Sequence, residues 1–137
     1  MPEMTPAAAD AFLRDVHVGV LAIERSSNPP LAIPIWYDVD EAGNVIIWTG
    51  ADSVKARLIG RAGRASFTVQ RETVPYAYVT VEGHTSSAAA DDATARRIAR
   101  RYLGEDGGDE FLKSSPVDGN VIITIHKDKL RSLTYDN

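Results

Sequence analysis

One stretch of the chain concentrates positive charge without any acid. Residues 53–71 contain one lysine and four arginines but no aspartate or glutamate: Lys55, Arg57, Arg61, Arg64 and Arg71. Thr49 and Ser53 place hydroxyl groups at the start of a predicted helix, whose first N–H groups attract anions. Arginine offers phosphate a two-pronged donor, and lysine offers a mobile point charge. The pattern therefore allows either a phosphate site or an ordinary solvated basic face.

The spacing of the arginines predicts which of them lie on the same face of the predicted helix. Arg57, Arg61 and Arg64 fall at i, i+4 and i+7, so we expect them to lie on one side of the helix. A second basic group falls in the last turns of another predicted helix and is followed by acids: Arg96, Arg97, Arg100 and Arg101. Cations there complement the helix dipole, so we interpret this second group as structural.

Other catalytic chemistry has little support in the chain. The three histidines, His17, His84 and His126, lack the spacing of a metal motif, so we expect each to make a local hydrogen bond. Cysteine is absent, which excludes a thiolate nucleophile and a cysteine-ligated metal. No nucleophile elbow, Walker A loop or dinucleotide fingerprint occurs. We therefore predict no metal site and assign no catalytic side chain.

Aromatic residues fall on predicted strands, where they either pack or line a pocket for a flat ring: Trp36, Tyr37, Trp48, Tyr76 and Tyr78. Trp36 stands out because it closely follows Pro34. Proline cannot donate to a strand ladder, so its strand is expected at a sheet edge or a bulge. Backbone N–H and C=O groups left free there could meet a ligand.

These residues need a scaffold that brings them together. The patterns predict a first helix with Thr5 as its cap and Pro6 in its first turn. Further helices are predicted over 50–61, over 88–103 with Ser87 as cap, and as a short turn over 110–113. Strands are predicted over 16–24, 31–38, 45–49, 64–70, 76–85, 120–127 and 130–135. The strand over 16–24 is apolar on both sides, so we expect it to be covered on both faces.

About seven antiparallel strands with two to three helices indicate a mainly β (α+β) barrel. The 137 residues favour a single domain over 1–137. Fifteen basic against 19 acidic residues give a net charge of −4, without the basic footprint of a nucleic-acid binder. No apolar run reaches the roughly 20 residues that span a bilayer. Together with a start unlike a signal peptide, this predicts a cytoplasmic protein without nucleic-acid or membrane partners.

The order of the motifs resembles one known family. The motifs are Ile33-Pro34-Ile35-Trp36; Thr49 with Ser53-x-Lys55-x-Arg57; Tyr76-x-Tyr78-Val79-x-Val81-x-Gly83; and Arg100-Arg101-Tyr102-Leu103-Gly104. Over residues 12–135 this order resembles the pyridoxamine 5′-phosphate oxidase-like split-barrel family, and within it the flavin/deazaflavin oxidoreductases of the B type. The resemblance implies an FMN-binding-like split β-barrel.

It also implies a homodimer that binds the deazaflavin coenzyme F-420, or alternatively FMN, at the interface between its subunits. By resemblance, Thr49, Ser53, Lys55 and Arg57 hold the cofactor phosphate, with Arg61 as a supporting cation. The backbone of Ile33, Pro34, Ile35 and Trp36 meets the ring, and Tyr76 and Tyr78 take pocket or interface positions.

The implied activity is a reductase that passes hydride to a small electron-poor molecule. The polyglutamate tail of F-420 favours a cationic groove, which Arg61, Arg64 and Arg71 could supply. A second, non-catalytic function also remains open, in which the barrel only stores, carries or senses a flavin, F-420 or a haem-like ring. The cofactor carries the chemistry in such reductases, which is why no catalytic dyad is expected.

Overall fold

The computed structural model describes residues 2–135. Its helices and strands follow in the order α1 (Pro6–Arg14), β1 (Gly19–Ile23), β2 (Leu31–Ile35), β3 (Asp38–Val39), β4 (Val45–Gly50), α2 (Val54–Ala62), β5 (Arg64–Arg71), β6 (Ala77–Ala89), α3 (Asp92–Ser114), β7 (Asn120–Ile125) and β8 (Lys129–Thr134). The strands form one antiparallel sheet in the order β2-β1-β5-β6-β7-β4-β3, with β8 also paired to β6. The predicted mainly β architecture is confirmed.

The long strand β6 makes the sheet curl into a half-barrel. Its first half, from Ala77 to Glu82, lies between β5 and β8, whereas Thr85–Ala89 pairs with β7. Strand β7 then pairs with β4 on its other side. The inward side chains of β5 and β6, including Phe67 and Val79, are fully buried in the core. The strand predicted over 76–85 is therefore confirmed, and it extends to Ala89.

Caps set the ends of the first two helices. The side chain of Thr5 accepts a hydrogen bond from the backbone N–H of Ala8 and Pro6 opens α1, as predicted. Helix α2 begins at Val54 rather than at residue 50, because Gly50 remains in β4 opposite Asn120. Gly63 ends α2 with a φ of 70°, in the left-handed region that favours glycine.

Helix α3 differs from its prediction in two ways. Ser87 does not cap it, because β6 extends to Ala89 and Asp91 takes the cap by accepting from the N–H of Thr94 at 2.9 Å. At Gly104, with a φ of 79°, the helix bends and then continues to Ser114. The second part returns so closely that a Cβ on Gly108 would lie 2.6 Å from the backbone nitrogen of Arg100.

The expectation that the first strand is covered on both faces is wrong. Leu21 and Ile23 point into the core and are buried. Val18 and Val20 alternate with them and are 55% and 39% exposed, and Val16 before the strand is exposed as well. Within residues 2–135 no element covers that outer face. No helix in this part of the chain is long and apolar enough to cross a membrane.

Candidate functional site

A pair of hydroxyl groups lies where β4 leads into α2. The Oγ1 of Thr49 donates to the Oγ of Ser53 at 3.1 Å, and that same Oγ accepts from the backbone N–H of Ala56 at 3.1 Å. Ser53 is the cap of α2, and Thr49 is buried. A hydroxyl has two acceptor positions and one proton. Both acceptor positions of Ser53 are used, so its proton is available to an incoming acceptor such as a phosphate oxygen.

Three cations project from α2 without an internal partner. Lys55 is half-buried and lies one turn before the buried Ile59, so it is on the side of the helix that faces the sheet. Arg57 and Arg61 are exposed and share another side. Within residues 2–135 none of these three side chains forms a salt bridge or hydrogen bond. Every other arginine does: Arg14, Arg25, Arg64, Arg71, Arg96, Arg97, Arg100, Arg101 and Arg131.

Two cations of the basic stretch are engaged elsewhere. Arg64 is the first residue of β5, and its Nε donates to the carboxylate of Glu24 at 2.7 Å. That hydrogen bond holds the pKa of Glu24 below its ordinary value. Arg71 donates to the carbonyl of Pro75. The expectation that Arg57, Arg61 and Arg64 share one helical face is therefore wrong, because α2 ends before Arg64.

Strand β2 carries the predicted ring-binding backbone and forms one edge of the sheet. Pro34 pairs with Val20 of β1 on one side, and within the described part of the chain no strand pairs with the other side. The expectation of an edge position for Pro34 is confirmed. Ile33 and Ile35 are half-buried, and Trp36 follows directly after the strand. The outer backbone groups of this strand are thus open to a ligand.

An apolar pocket of about 440 Å³ adjoins these two features. Its lining consists of Ile35, Trp36, Trp48, Thr49, Ile98, Phe111, Ser115 and Asn120. No charged side chain is among them. The pocket brings three predicted site residues together, since Ile35 and Trp36 come from the β2 edge and Thr49 from the hydroxyl pair. Its volume is within the range of pockets that hold small organic molecules.

The aromatic wall of this pocket consists of Trp36, Trp48 and Phe111, and Tyr102 packs against it. Trp36 stacks on Tyr102 with ring centroids 4.8 Å apart, and Phe111 lies 5.7 Å from Trp36 and 6.1 Å from Trp48. The Tyr102 hydroxyl donates to the carbonyl of His17 at 2.6 Å and accepts from the backbone N–H of Tyr37 at 3.1 Å. Burial raises the pKa of Tyr102, so it stays neutral and in place.

Sequence reasoning missed several members of the pocket. Phe111 and Ser115 reach it only because α3 bends at Gly104 and returns along itself. Trp48 had been considered only as one of several strand aromatics. Its Nε1 atom is buried and has no hydrogen-bond partner within residues 2–135.

Tyr76 and Tyr78 lie apart from the pocket. They are 53% and 37% exposed, on the outer face of the sheet. Val20 belongs to the same face, because it pairs with Thr68, and Thr68 pairs with Thr80 two positions from Tyr78. We call the exposed apolar side chains of this face the outer patch: Val16, Val18, Val20, Pro34, Tyr76 and Tyr78.

No protein-family model matches the chain, and no curated protein matches its sequence. Solved structures do match. A conserved hypothetical protein from Mycobacterium tuberculosis has a TM-score of 0.78 at 24% identity, covering 96% of this chain and 85% of its own. A candidate pyridoxamine 5′-phosphate oxidase from Listeria innocua has a TM-score of 0.69 at 19% identity, covering 90% of this chain and 93% of its own.

The chain has the split-barrel fold of the pyridoxamine 5′-phosphate oxidase-like proteins. A third structure, described as an F-420 reductase, has the same fold, with a TM-score of 0.71 at 19% identity over 93% of this chain and 98% of its own. At these identities the likeness establishes the split barrel itself.

The second basic group stabilises this split barrel, as predicted. Arg96 and Arg100 both donate to Asp109, at 2.7 and 2.8 Å, and tie the two parts of α3 together. The hydrogen bonds from Arg100 and Arg96 lower the pKa of Asp109 to about 2. Arg101 donates to the carbonyls of Arg14 and other residues at the end of α1.

The histidines make the local hydrogen bonds that were expected, but two of them also meet. His84 bonds to Asp128 at 2.7 Å and His126 to Ser86 at 2.9 Å, while their rings stack 4.0 Å apart. Their separation in sequence concealed this contact, which follows from the pairing of β6 with β7. Within residues 2–135 no group of three or more His, Asp or Glu could hold a metal ion.

Proposed function

We propose that this split barrel is a reductase that binds the deazaflavin coenzyme F-420 and passes hydride to a small electron-poor molecule. The observation that carries the proposal is the start of α2. There the free proton of Ser53 and the unpartnered Lys55 converge on one helix N-terminus, which itself favours negative charge. This donor set suits a phosphate group, so the residues fit the cofactor that the resemblance implies.

Each part of the chain has a distinct task in this proposal. When bound, F-420 supplies the hydride, and the protein contributes binding, orientation and exclusion of water. Thr49 orients the Ser53 hydroxyl, and Lys55 and Arg57 provide charge for the phosphate. The open edge of β2 over 33–36 positions the ring through its backbone groups. The aromatic wall beyond Trp36 keeps water from one side of the site.

We favour F-420 over FMN because of a second groove beside α2. This groove, about 380 Å³, contains Arg25 and Arg61 together with Ser26, Ser27 and Asn28. Glu24 lines it as well, with its carboxylate paired to Arg64. Arg61 has no internal partner there, and the serine and asparagine side chains can donate to carboxylates. An anionic tail suits such a groove, whereas FMN lacks one. We expect Arg61→Ala to weaken F-420 binding by several-fold and to leave FMN binding unchanged, within the range of an exposed charge pair.

We further propose that a second copy of the chain covers the outer patch. The solvent face of an antiparallel sheet is normally polar, yet β1 presents valines and β6 presents tyrosines there. Exposed apolar side chains grouped on one sheet face can mark an interaction site. Here the valines of β1 and the tyrosines of β6 flank the polar Thr68 and Gln70 of β5. Because Pro34 belongs both to the patch and to the β2 edge, a partner seated there would lie beside the ring site.

Sedimentation of the purified protein tests this assembly. We expect a dimer, and we expect Val20→Lys to give a folded monomer because the exposed Val20 side chain is not needed for the core. A wild-type monomer would refute the dimer. A charge-removing variant away from the outer patch, Lys113→Gln on α3, should remain dimeric.

Turnover separates the reductase from the non-catalytic alternative. The protein is titrated with F-420 and, separately, with FMN, and the cofactor that binds is then reduced. The rate at which it is reoxidised by an uncharged quinone is compared with and without protein. Faster reoxidation on the protein supports the reductase, whereas tight binding without acceleration would establish a carrier or sensor. No binding of either cofactor would refute the reductase and a carrier of flavin or F-420.

A further inference from the structure

We infer that Tyr102 is a positioning residue for the proposed ring site, the β2 edge over residues 33–36. Its side chain holds the end of the β1–β2 ladder open and so fixes Trp36 in place. This inference deepens the proposed function, on which the ring site rests. Tyr102 lies in the motif over residues 100–104, whose arginines hold the helices together, whereas its tyrosine contacts the segments that flank β1 and β2.

The observation that carries the inference is the position of the Tyr102 hydroxyl. Strands β1 and β2 are antiparallel, with Gly19 opposite Ile35, and their pairing ends there. Continued by two residues, the same register would place His17 opposite Tyr37. Instead, the Tyr102 hydroxyl accepts from the N–H of Tyr37 at 3.1 Å and donates to the carbonyl of His17 at 2.6 Å. One side-chain oxygen therefore bridges two backbone groups that a longer ladder would join directly.

Trp36 lies at the point where the two strands separate. Its ring stacks on the ring of Tyr102, with centroids 4.8 Å apart and an interplanar angle of 9°. The backbone N–H of the next residue, Tyr37, is held by the hydroxyl of the same tyrosine. Tyr102 therefore fixes both the side chain of Trp36 and the backbone that follows it. The last residue of the ring-binding segment is thereby kept outside the β1–β2 ladder.

The turn of α3 that carries Tyr102 is anchored independently of these strands. The guanidinium of its neighbour Arg101 donates to the carbonyls of Arg14 at 2.9 Å and Asp15 at 2.7 Å, at the end of α1. The same guanidinium lies 4.8 Å from the centroid of the Tyr37 ring. A bridge anchored outside the sheet can determine where the strand ends lie, as the supporting residues of a binding site must.

Tyr37 provides a matched control for the Tyr102 hydroxyl. Its own hydroxyl donates to the carbonyl of Leu13 at 2.6 Å, and its side chain is fully buried. Tyr37→Phe and Tyr102→Phe therefore each remove one short hydrogen bond to a backbone carbonyl. Only the Tyr102 hydroxyl bridges the strand ends beside Trp36. A merely structural role predicts that the two variants affect cofactor binding equally.

The test titrates the full-length wild type and both variants with the cofactor that binds, F-420 or FMN, at two salt concentrations. Tyr102→Phe should weaken binding by about three- to tenfold, the range that follows from one lost hydrogen bond. Tyr37→Phe should stay within about twofold of the wild type. The salt dependence should match the wild type in both variants, because the contacts to the phosphate are retained. Urea unfolding verifies that both variants are folded.

Trp36 gives a second readout that needs no cofactor. In a Trp48→Phe background it is the only tryptophan of the chain, and acrylamide quenching of its fluorescence reports how firmly its ring is held. Tyr102→Phe should raise the quenching constant. Tyr102→Leu should raise it further, because it also removes the stacking partner. Tyr37→Phe should leave it unchanged.

Three results would overturn the inference. They are equal cofactor affinity in Tyr102→Phe and Tyr37→Phe, quenching of Trp36 that Tyr102→Leu leaves unchanged, and a reduced salt dependence in Tyr102→Phe, which would place its effect at the phosphate. Absence of F-420 and FMN binding in the wild type would refute the proposed function and with it the ring site. The quenching series would still confirm or refute the hold of Tyr102 on Trp36.

Discussion

Replacing Lys55 by methionine tests the phosphate site most directly. Methionine keeps most of the apolar stem of the lysine and removes only the ammonium group. Because Lys55 has no salt bridge or side-chain hydrogen bond within residues 2–135, the variant should unfold at the same temperature as the wild type. Any loss of cofactor affinity then reports on binding and not on folding.

The magnitude follows from the environment of the side chain. A hydrogen bond between charged groups contributes about 1.5–3 kcal/mol when it is shielded from solvent. Lys55 is half-buried, so we expect the lower part of that range, roughly 10- to 30-fold in Kd. Arg57 is exposed and more strongly screened, so Arg57→Gln should cost less than tenfold, by about 1 kcal/mol or less.

The assay is a titration with F-420 and with FMN, each at two salt concentrations. Raising the ionic strength should weaken the wild type more than Lys55→Met, since the variant has lost one charge from the contact. Lys113→Met is the matched control. Lys113 lies on α3, where it pairs with Glu110 at 3.2 Å and is largely exposed. Unchanged affinity in Lys55→Met, or an equal loss in Lys113→Met, would refute the assignment of the phosphate to α2.

Three further predictions concern the scaffold around the site. Gly60→Ala in α2 should raise stability by about 0.5–1 kcal/mol, because nothing lies within 4 Å of the new Cβ. Gly108→Ala should lower stability, because its Cβ would lie 2.6 Å from the backbone nitrogen of Arg100. Urea unfolding measures both effects. Tyr37→Phe removes the 2.6 Å hydrogen bond to the carbonyl of Leu13 and should destabilise by about 1 kcal/mol in the same assay. The pKa of Asp109 is lowered to about 2 in the folded state, so its contribution is present above the ordinary pKa and lost as the pH falls towards about 2. Asp109→Asn should therefore be less stable than the wild type at neutral pH, with the difference vanishing in acid; a constant difference would contradict this.

Local signals allowed much of the fold to be predicted. Thr5 and Pro6 mark the start of α1, and the alternation over 76–85 marks a strand with one buried face. Both depend on neighbours within a few residues, which is the range over which caps and periodicity act. The Ser87 prediction failed because pairing of β6 with β7 extended the strand through residues that could otherwise cap a helix. A distant partner strand therefore determined where α3 begins.

The pocket could be predicted only in part for a related reason. Pro34, two residues earlier, marks Trp36, and the predicted helix start after Thr49 marks that residue. Phe111 had no such marker, because it reaches Trp36 through the bend at Gly104 and the close approach at Gly108. The helix predicted over 88–103 stops just before Gly104, where the φ of 79° interrupts the helix. No short sequence pattern specifies the direction in which the chain continues after Gly104.

The structure separates the cations of residues 53–71 that have an internal acceptor from those that have none within residues 2–135. From sequence, five cations over 53–71 were compatible with a solvated face or a phosphate site. The fold removes Arg64 and Arg71 from consideration by giving each an internal acceptor. It leaves Lys55, Arg57 and Arg61 on a single helix, in a chain whose other arginines all bond within the described residues. Arg57 and Arg61 even repel each other at i, i+4. Cations kept apart from the acids of an acidic protein, beside a serine whose proton is unused, are the groups on which the proposed phosphate site rests, and the Lys55→Met titration decides between that site and a solvated face.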